Sequence, residues 1–193
     1  MGWLESRRGV PILNVSLLPP RVMPIAAWLV LVASQVAFAM ETVYQEPGEF
    51  LEQNLSGCQK QVLWLKKDTK SRIEKLVDHP FPGVRVRYCE KEGKTAWVLD
   101  EIGKTEPITS GIIIDQGRVE QVRVLVFRES RGSEVHRDAF TRQYENAALE
   151  DDQSLDRYID GITGATMSVS AVNRQVKLAL LLDEVVREKA DDR

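Results

Sequence analysis

Nine residues late in the chain, Asp160-Gly161-Ile162-Thr163-Gly164-Ala165-Thr166-Met167-Ser168, combine small side chains with hydroxyls just before a long helix-forming run. Small residues at a helix start let a bulky anion approach the backbone, where unpaired N–H groups and the positive end of the helix dipole hold a phosphate. Thr166 puts a hydroxyl at that spot. The plainer reading is a helix N-cap, for which Thr and Ser are ordinary choices, and composition alone does not separate the two. Other candidate chemistry is sparse. Cys58 and Cys89 are the only cysteines, and neither a CxxC nor a CxxCH motif is present. In an oxidising compartment they pair, closing a loop of about 30 residues worth roughly 3 kcal/mol, or they stay two separate buried thiols acting as small hydrophobes. His79 and His136 are the only histidines, and without clustered cysteines they argue against a dedicated metal site. His136-Arg137-Asp138 has the letters of a kinase catalytic loop without its glycine-rich loop or Asp-Phe-Gly partner. The expectation is a helix-surface histidine there and a helix-end histidine at His79.

The run from Asp160 to Thr166 resembles the flavinylation motif of the FMN-binding domain family, Asp-x-x-Ser/Thr-Gly-Ala-Thr, known from the Rnf complexes and the sodium-pumping NADH:quinone reductase. Asp160, Thr163, Gly164, Ala165 and Thr166 fill its fixed positions. Ile102-Gly103-Lys104 with Pro107-Ile108-Thr109, and Glu129-Ser130-Arg131-Gly132-Ser133-Glu134-Val135, are similar to further family segments in the same order. The likeness spans roughly residues 80 to 180. It implies FMN held covalently as a phosphoester on Thr166, installed by an exported flavin transferase that splits FAD. Gly164 and Ala165 would line the attachment point. Glu129, Ser130 and Gly132, with Ser168, would frame the ring. Asp160 would either be read by the modifying enzyme or shape the turn. One departure stands out: the Rnf-type subunits carry Glu-Thr-Pro-Gly where this chain has Glu129-Ser130-Arg131-Gly132.

Such a domain would serve as an electron-transfer flavoprotein exchanging electrons with a membrane-bound redox protein, with no substrate chemistry of its own. Two other readings stand beside it: a regulatory binding module of a membrane redox complex in which flavin state alters a contact, and an exported structural domain that never acquires flavin.

The elements that must position these residues follow from periodicity. Pro47 to Leu55 and Gln59 to Val77 read as helices separated by Ser56-Gly57, the second amphipathic through Val62, Leu65, Ile73 and Leu76. His79-Pro80-Phe81-Pro82-Gly83 stops it. Val84 to Tyr88 and Thr95 to Leu99 read as a hairpin across Glu90 to Lys94, and Ile108 to Ile114 with Arg118 to Phe127 as a second hairpin around Asp115-Gln116-Gly117. Trp64 and Trp97 are expected in the core. Glu134 to Tyr144 reads as a helix, Ala147 to Ser154 as an acidic surface loop, and the final helix, ending near Lys189, carries a core stripe of Val169, Val172, Val176, Ala179 and Leu180. The order predicts an α+β domain, an antiparallel sheet with flanking helices and a long C-terminal helix following the attachment loop.

Residues 1–39 read as a signal peptide and 40–193 as the domain. Arg7, Arg8 and Arg21 precede an apolar run of nine residues, Ile25 to Ala33, and Ala37-Phe38-Ala39 supplies small residues at −3 and −1. A retained anchor is the competing reading, but a span takes about 20 strongly apolar residues and Pro24, Ser34 and Gln35 interrupt this one. The expected location is the periplasm or another extracytoplasmic face. The net charge is −3; without residues 1–39, which hold those three arginines against Glu5, 23 basic and 28 acidic residues give −5. That balance excludes nucleic acid as a partner, since phosphate neutralisation needs a basic face.

Overall fold

The computed structural model describes residues 41–151 and 153–191; the expected signal peptide lies outside the described residues. An antiparallel sheet is built from β1 (Thr42–Val43), β2 (Gln59–Trp64), β3 (Arg85–Lys91), β4 (Lys94–Ile102), β5 (Pro107–Asp115) and β6 (Arg118–Phe127), in the spatial order β1-β6-β5-β4-β3-β2. The helices are α1 (Pro47–Leu55), α2 (Lys67–Val77), the single turn α3 (Asp138–Thr141) and α4 (Thr166–Asp191). This is the α+β class expected from the sequence.

The pleat sorts side chains to two cores. Trp97, Ile112 and Ile114 point to the face covered by α4 and α2, where they join Val172, Val176 and Leu181. Ala96 and Ile113 point the other way and meet Phe50 and Leu55 of α1 together with Cys89, Leu125 and Val126. The apolar stripe expected on the last helix is the buried one. Among the described residues no helix is long and apolar enough to cross a membrane.

Polar contacts fix α4 against the sheet. Gln175, 1% exposed, donates from Nε2 to the Leu99 and Ile108 carbonyls at 2.8 and 2.7 Å and accepts from the Ser110 hydroxyl at 2.7 Å. Trp97 Nε1–H donates to the Thr95 hydroxyl, which donates to buried Asp183. Arg174 pairs with Glu101 at 3.0 Å, a carboxylate also met by His79 at the end of α2. Buried groups without such partners cost about 1–3 kcal/mol each, so these contacts set one register for the helix along the strands.

Three expectations are corrected. Residues 59–77 form not one helix but strand β2, in register with β3 over six residues, followed by α2. Trp64 is not core but 61% exposed. The expected helix over 134–144 is a 3-10 turn (Ser133–His136), the turn α3 and a second 3-10 turn (Arg142–Tyr144); His136 there stacks on Tyr44 with ring centroids 4.2 Å apart. Cys58 and Cys89 form a disulfide, joining the start of β2 to β3.

Candidate cofactor site

The site begins where α4 begins. The first intrahelical bond runs from the Val169 N–H to the Ala165 carbonyl at 2.9 Å, which makes Ala165 the N-cap and Thr166 the first helical residue. Alanine is among the poorest caps because it offers no side-chain acceptor. The amides of Thr166, Met167 and Ser168 are therefore left without an intrahelical partner, and Thr166, whose hydroxyl the cap reading would have used, stands exposed beside them. Gly164 carries the chain into the helix, and the Ala165 N–H closes the turn on the Ile162 carbonyl at 3.0 Å.

Two loops from the far ends of β4 and β6 face this helix start. The Glu129 carboxylate, buried at 8% exposure, accepts from the backbone N–H groups of Thr105 at 2.6 Å and Glu106 at 2.9 Å, and from that of Lys104. Burial pushes its pKa up, but the amides of Glu106, Thr105 and Lys104 and the Thr105 hydroxyl outweigh this and hold the carboxyl below its ordinary range. Gly103 lets the carboxylate in: a Cβ there would lie 2.9 Å from Glu129 Oε1. Glu129 is thus committed to the β4–β5 loop, and its consequence is the placement of Lys104. Gly132 does the equivalent work on the other side. At φ +86°, and with a virtual Cβ 2.5 Å from Ser168 Oγ and 3.2 Å from Ala165 Cβ, it seats the Glu129–Gly132 loop directly against the first turn of α4.

The result is a cleft of about 610 Å³ lined by Lys104, Glu129, Ser130, Arg131, Gly164, Ala165, Thr166, Met167 and Ser168, within the roughly 300–1,000 Å³ usual for cofactor sites. Eight of its nine lining residues sit in the two segments read from the sequence as the attachment and framing loops, and Gly132 packs behind them. Asp160 and Thr163 are not in it. Asp160 lines a separate depression with Gly161, Ile162, Glu134 and Arg137, its N–H donating to Gln143 Oε1 at 2.7 Å. Lys104 and Arg131 were not singled out as site residues by sequence reasoning. Arg131 stands at the position where the loop departs from the Rnf pattern, and Lys104 follows the Gly103 that the buried carboxylate demands.

Fold and cleft together define an α+β domain that presents a hydroxyl, unpaired helix-start amides and two cations to one anionic ligand. Residues 103–181 match the family model for the FMN-binding domain, and the match supports a flavin-binding domain over that part of the chain. The matched span contains every lining residue of the cleft. Comparison with curated proteins and with solved structures returns no significant match.

The residues present fit the phosphate end of FMN. Lys104, Arg131 and the three amides supply positive charge, Thr166 an acceptor oxygen, and the small residues Gly164 and Ala165 a close backbone approach. When bound, the flavin ring would supply one- and two-electron chemistry.

Proposed function

We propose that the protein is an exported, one-domain electron carrier that holds FMN as a phosphoester on Thr166. The observation that carries this reading is the freedom of that hydroxyl: Ala165 takes the cap position, so Thr166 is exposed on the first helical residue within a cationic cleft and beside unpaired amides. A flavin transferase would join the FMN phosphate of FAD to Thr166 Oγ, with AMP leaving and the hydroxyl proton released. Attachment on the outer face of the membrane would keep the cofactor from being lost to a compartment that does not replace it. Electrons would pass to and from a membrane-bound redox protein. The cations and amides would neutralise the phosphodiester, and the Ser130–Gly132 loop would flank the ring.

The test is co-production of the exported protein with a flavin transferase, followed by intact mass measurement and in-gel fluorescence after denaturation. Wild-type protein should carry one FMN increment that survives denaturation, and Thr166→Ala should carry none. A colourless wild type, or flavin retained covalently by Thr166→Ala, sinks the assignment.

A further inference from the structure

The sheet face opposite α4 is only half covered. α1 packs over Cys89, Ala96 and Ile113, but the β2–β3 ribbon beside it is bare. Register places Lys60 opposite Cys89, Val62 opposite Arg87 and Trp64 opposite Arg85, so these side chains share that open face. Trp64 is 61% exposed and Val62 43%. The Arg85 guanidinium lies 5.6 Å from the Trp64 ring centroid. Lys60, Arg85 and Arg87 have no carboxylate partner among the described residues. A groove of about 540 Å³ runs from this ribbon to Leu51 of α1.

The charge is as uneven as the covering. Residues 59–91 hold nine Lys and Arg against four Asp and Glu, a balance of +5, so the other residues of this −3 chain sum to −8. Edge strands are commonly blunted by lysine. That accounts for Lys60, but not for a tryptophan and a valine exposed among arginines in an otherwise acidic molecule. Cations are drawn to anionic headgroups, tryptophan settles at headgroup depth, and short aliphatic side chains reach the acyl boundary. A stable protein interface takes about 20–30 residues a side, far more than the five here, whereas a bilayer asks only for charge and a shallow apolar wedge.

We propose that the β2–β3 face, through Lys60, Val62, Trp64, Arg85 and Arg87, docks the domain on an anionic phospholipid bilayer. The face lies on the strands farthest from β6 and does not include the cleft at Thr166, so docking stands or falls independently of flavin attachment.

Full-length protein is sedimented with vesicles of phosphatidylcholine alone or mixed equally with phosphatidylglycerol. Binding should be confined to the anionic vesicles and weaken with salt. Arg85→Gln and Arg87→Gln should each reduce the partition coefficient about five-fold, Trp64→Ser should reduce it even at high salt, and Arg142→Gln, remote from the face, should leave it unchanged. Every variant shares residues 1–40, so any affinity of that segment is common to all. Should that segment sediment every variant completely, quenching by brominated acyl chains decides, with a component expected that Trp64→Phe removes. Equal binding to neutral and anionic vesicles, an unchanged partition in both arginine variants, or the absence of a Trp64 quenching component overturns the proposal. So does retention on an acidic protein without vesicle binding, which would assign the face to a protein partner.

Discussion

At the scale of single residues, the buried carboxylate of Glu129 sets the geometry of the site more than any other residue that lines the cleft. Three amides of one loop converge on it, and they hold its pKa down against the opposing effect of burial. A folded-state pKa below the unfolded value means that the stabilisation is complete above the ordinary glutamate pKa, about 4.3, and is lost as pH falls through that range toward the lowered folded value. Thermal midpoints measured between about pH 6 and pH 3 should therefore drop more in wild type than in Glu129→Gln, which keeps an acceptor oxygen but does not titrate. At neutral pH the same substitution should cost about 1 kcal/mol, the difference between charged and neutral hydrogen bonds. Equal acid sensitivity in the two proteins would show that Glu129 is not the titrating anchor. The role is invisible in the sequence, because Glu129 and the Gly103–Glu106 loop that it holds are about 25 residues apart and only the pairing of β5 with β4 and β6 brings them together. The Asp160–Ser168 segment before α4, by contrast, stood out as a contiguous run of small and hydroxyl residues, although the sequence could not say that Ala165 rather than Thr166 caps the helix.

At the scale of elements, α4 was legible from its apolar stripe and β2 was not. A helix packed along its length on a sheet leaves a strong period of 3.6. An edge strand with only Leu63 buried leaves no period of two, and the Gln, Lys and Leu of β2 followed by the lysines of α2 mimic one amphipathic helix. The same exposure explains Trp64, whose type argues for burial but whose strand has nothing packed over it. What places α4 along the strands is polar and equally hidden in the sequence: Gln175, nine residues from Thr166 and so about 13 Å along the axis, is gripped by β4 and β5. Gln175→Leu keeps the volume but leaves the Ser110 hydroxyl buried without its acceptor and removes two bonds to strand carbonyls. Denaturant unfolding should show a loss of about 2 kcal/mol. A neutral outcome would mean that apolar packing alone fixes the register of the helix and the position of its first turn.

At the scale of the whole molecule, one covalent link supports the part of the sheet least served by packing. β2 pairs only with β3, and the face of that ribbon away from α4 is open beyond α1. The Cys58–Cys89 disulfide spans 31 residues and ties the start of β2 to the strand beside it, so that β2, α2 and the first half of β3 form one closed loop. Closing a loop of that length removes about 3–4 kcal/mol of unfolded-chain entropy. For a domain of this size about 2–4 °C accompanies each kcal/mol, so reduction under non-denaturing conditions should lower the thermal midpoint by about 6–16 °C. The double variant Cys58→Ala/Cys89→Ala should sit at the reduced value with or without reductant. Because the Thr166 cleft is built from β4, β6 and α4, outside the closed loop, cofactor attachment should persist in the double variant below its midpoint. A midpoint indifferent to reductant would show that packing, not the crosslink, holds the β2 edge; flavin lost along with the bond would show that the edge and the cleft unfold as one unit.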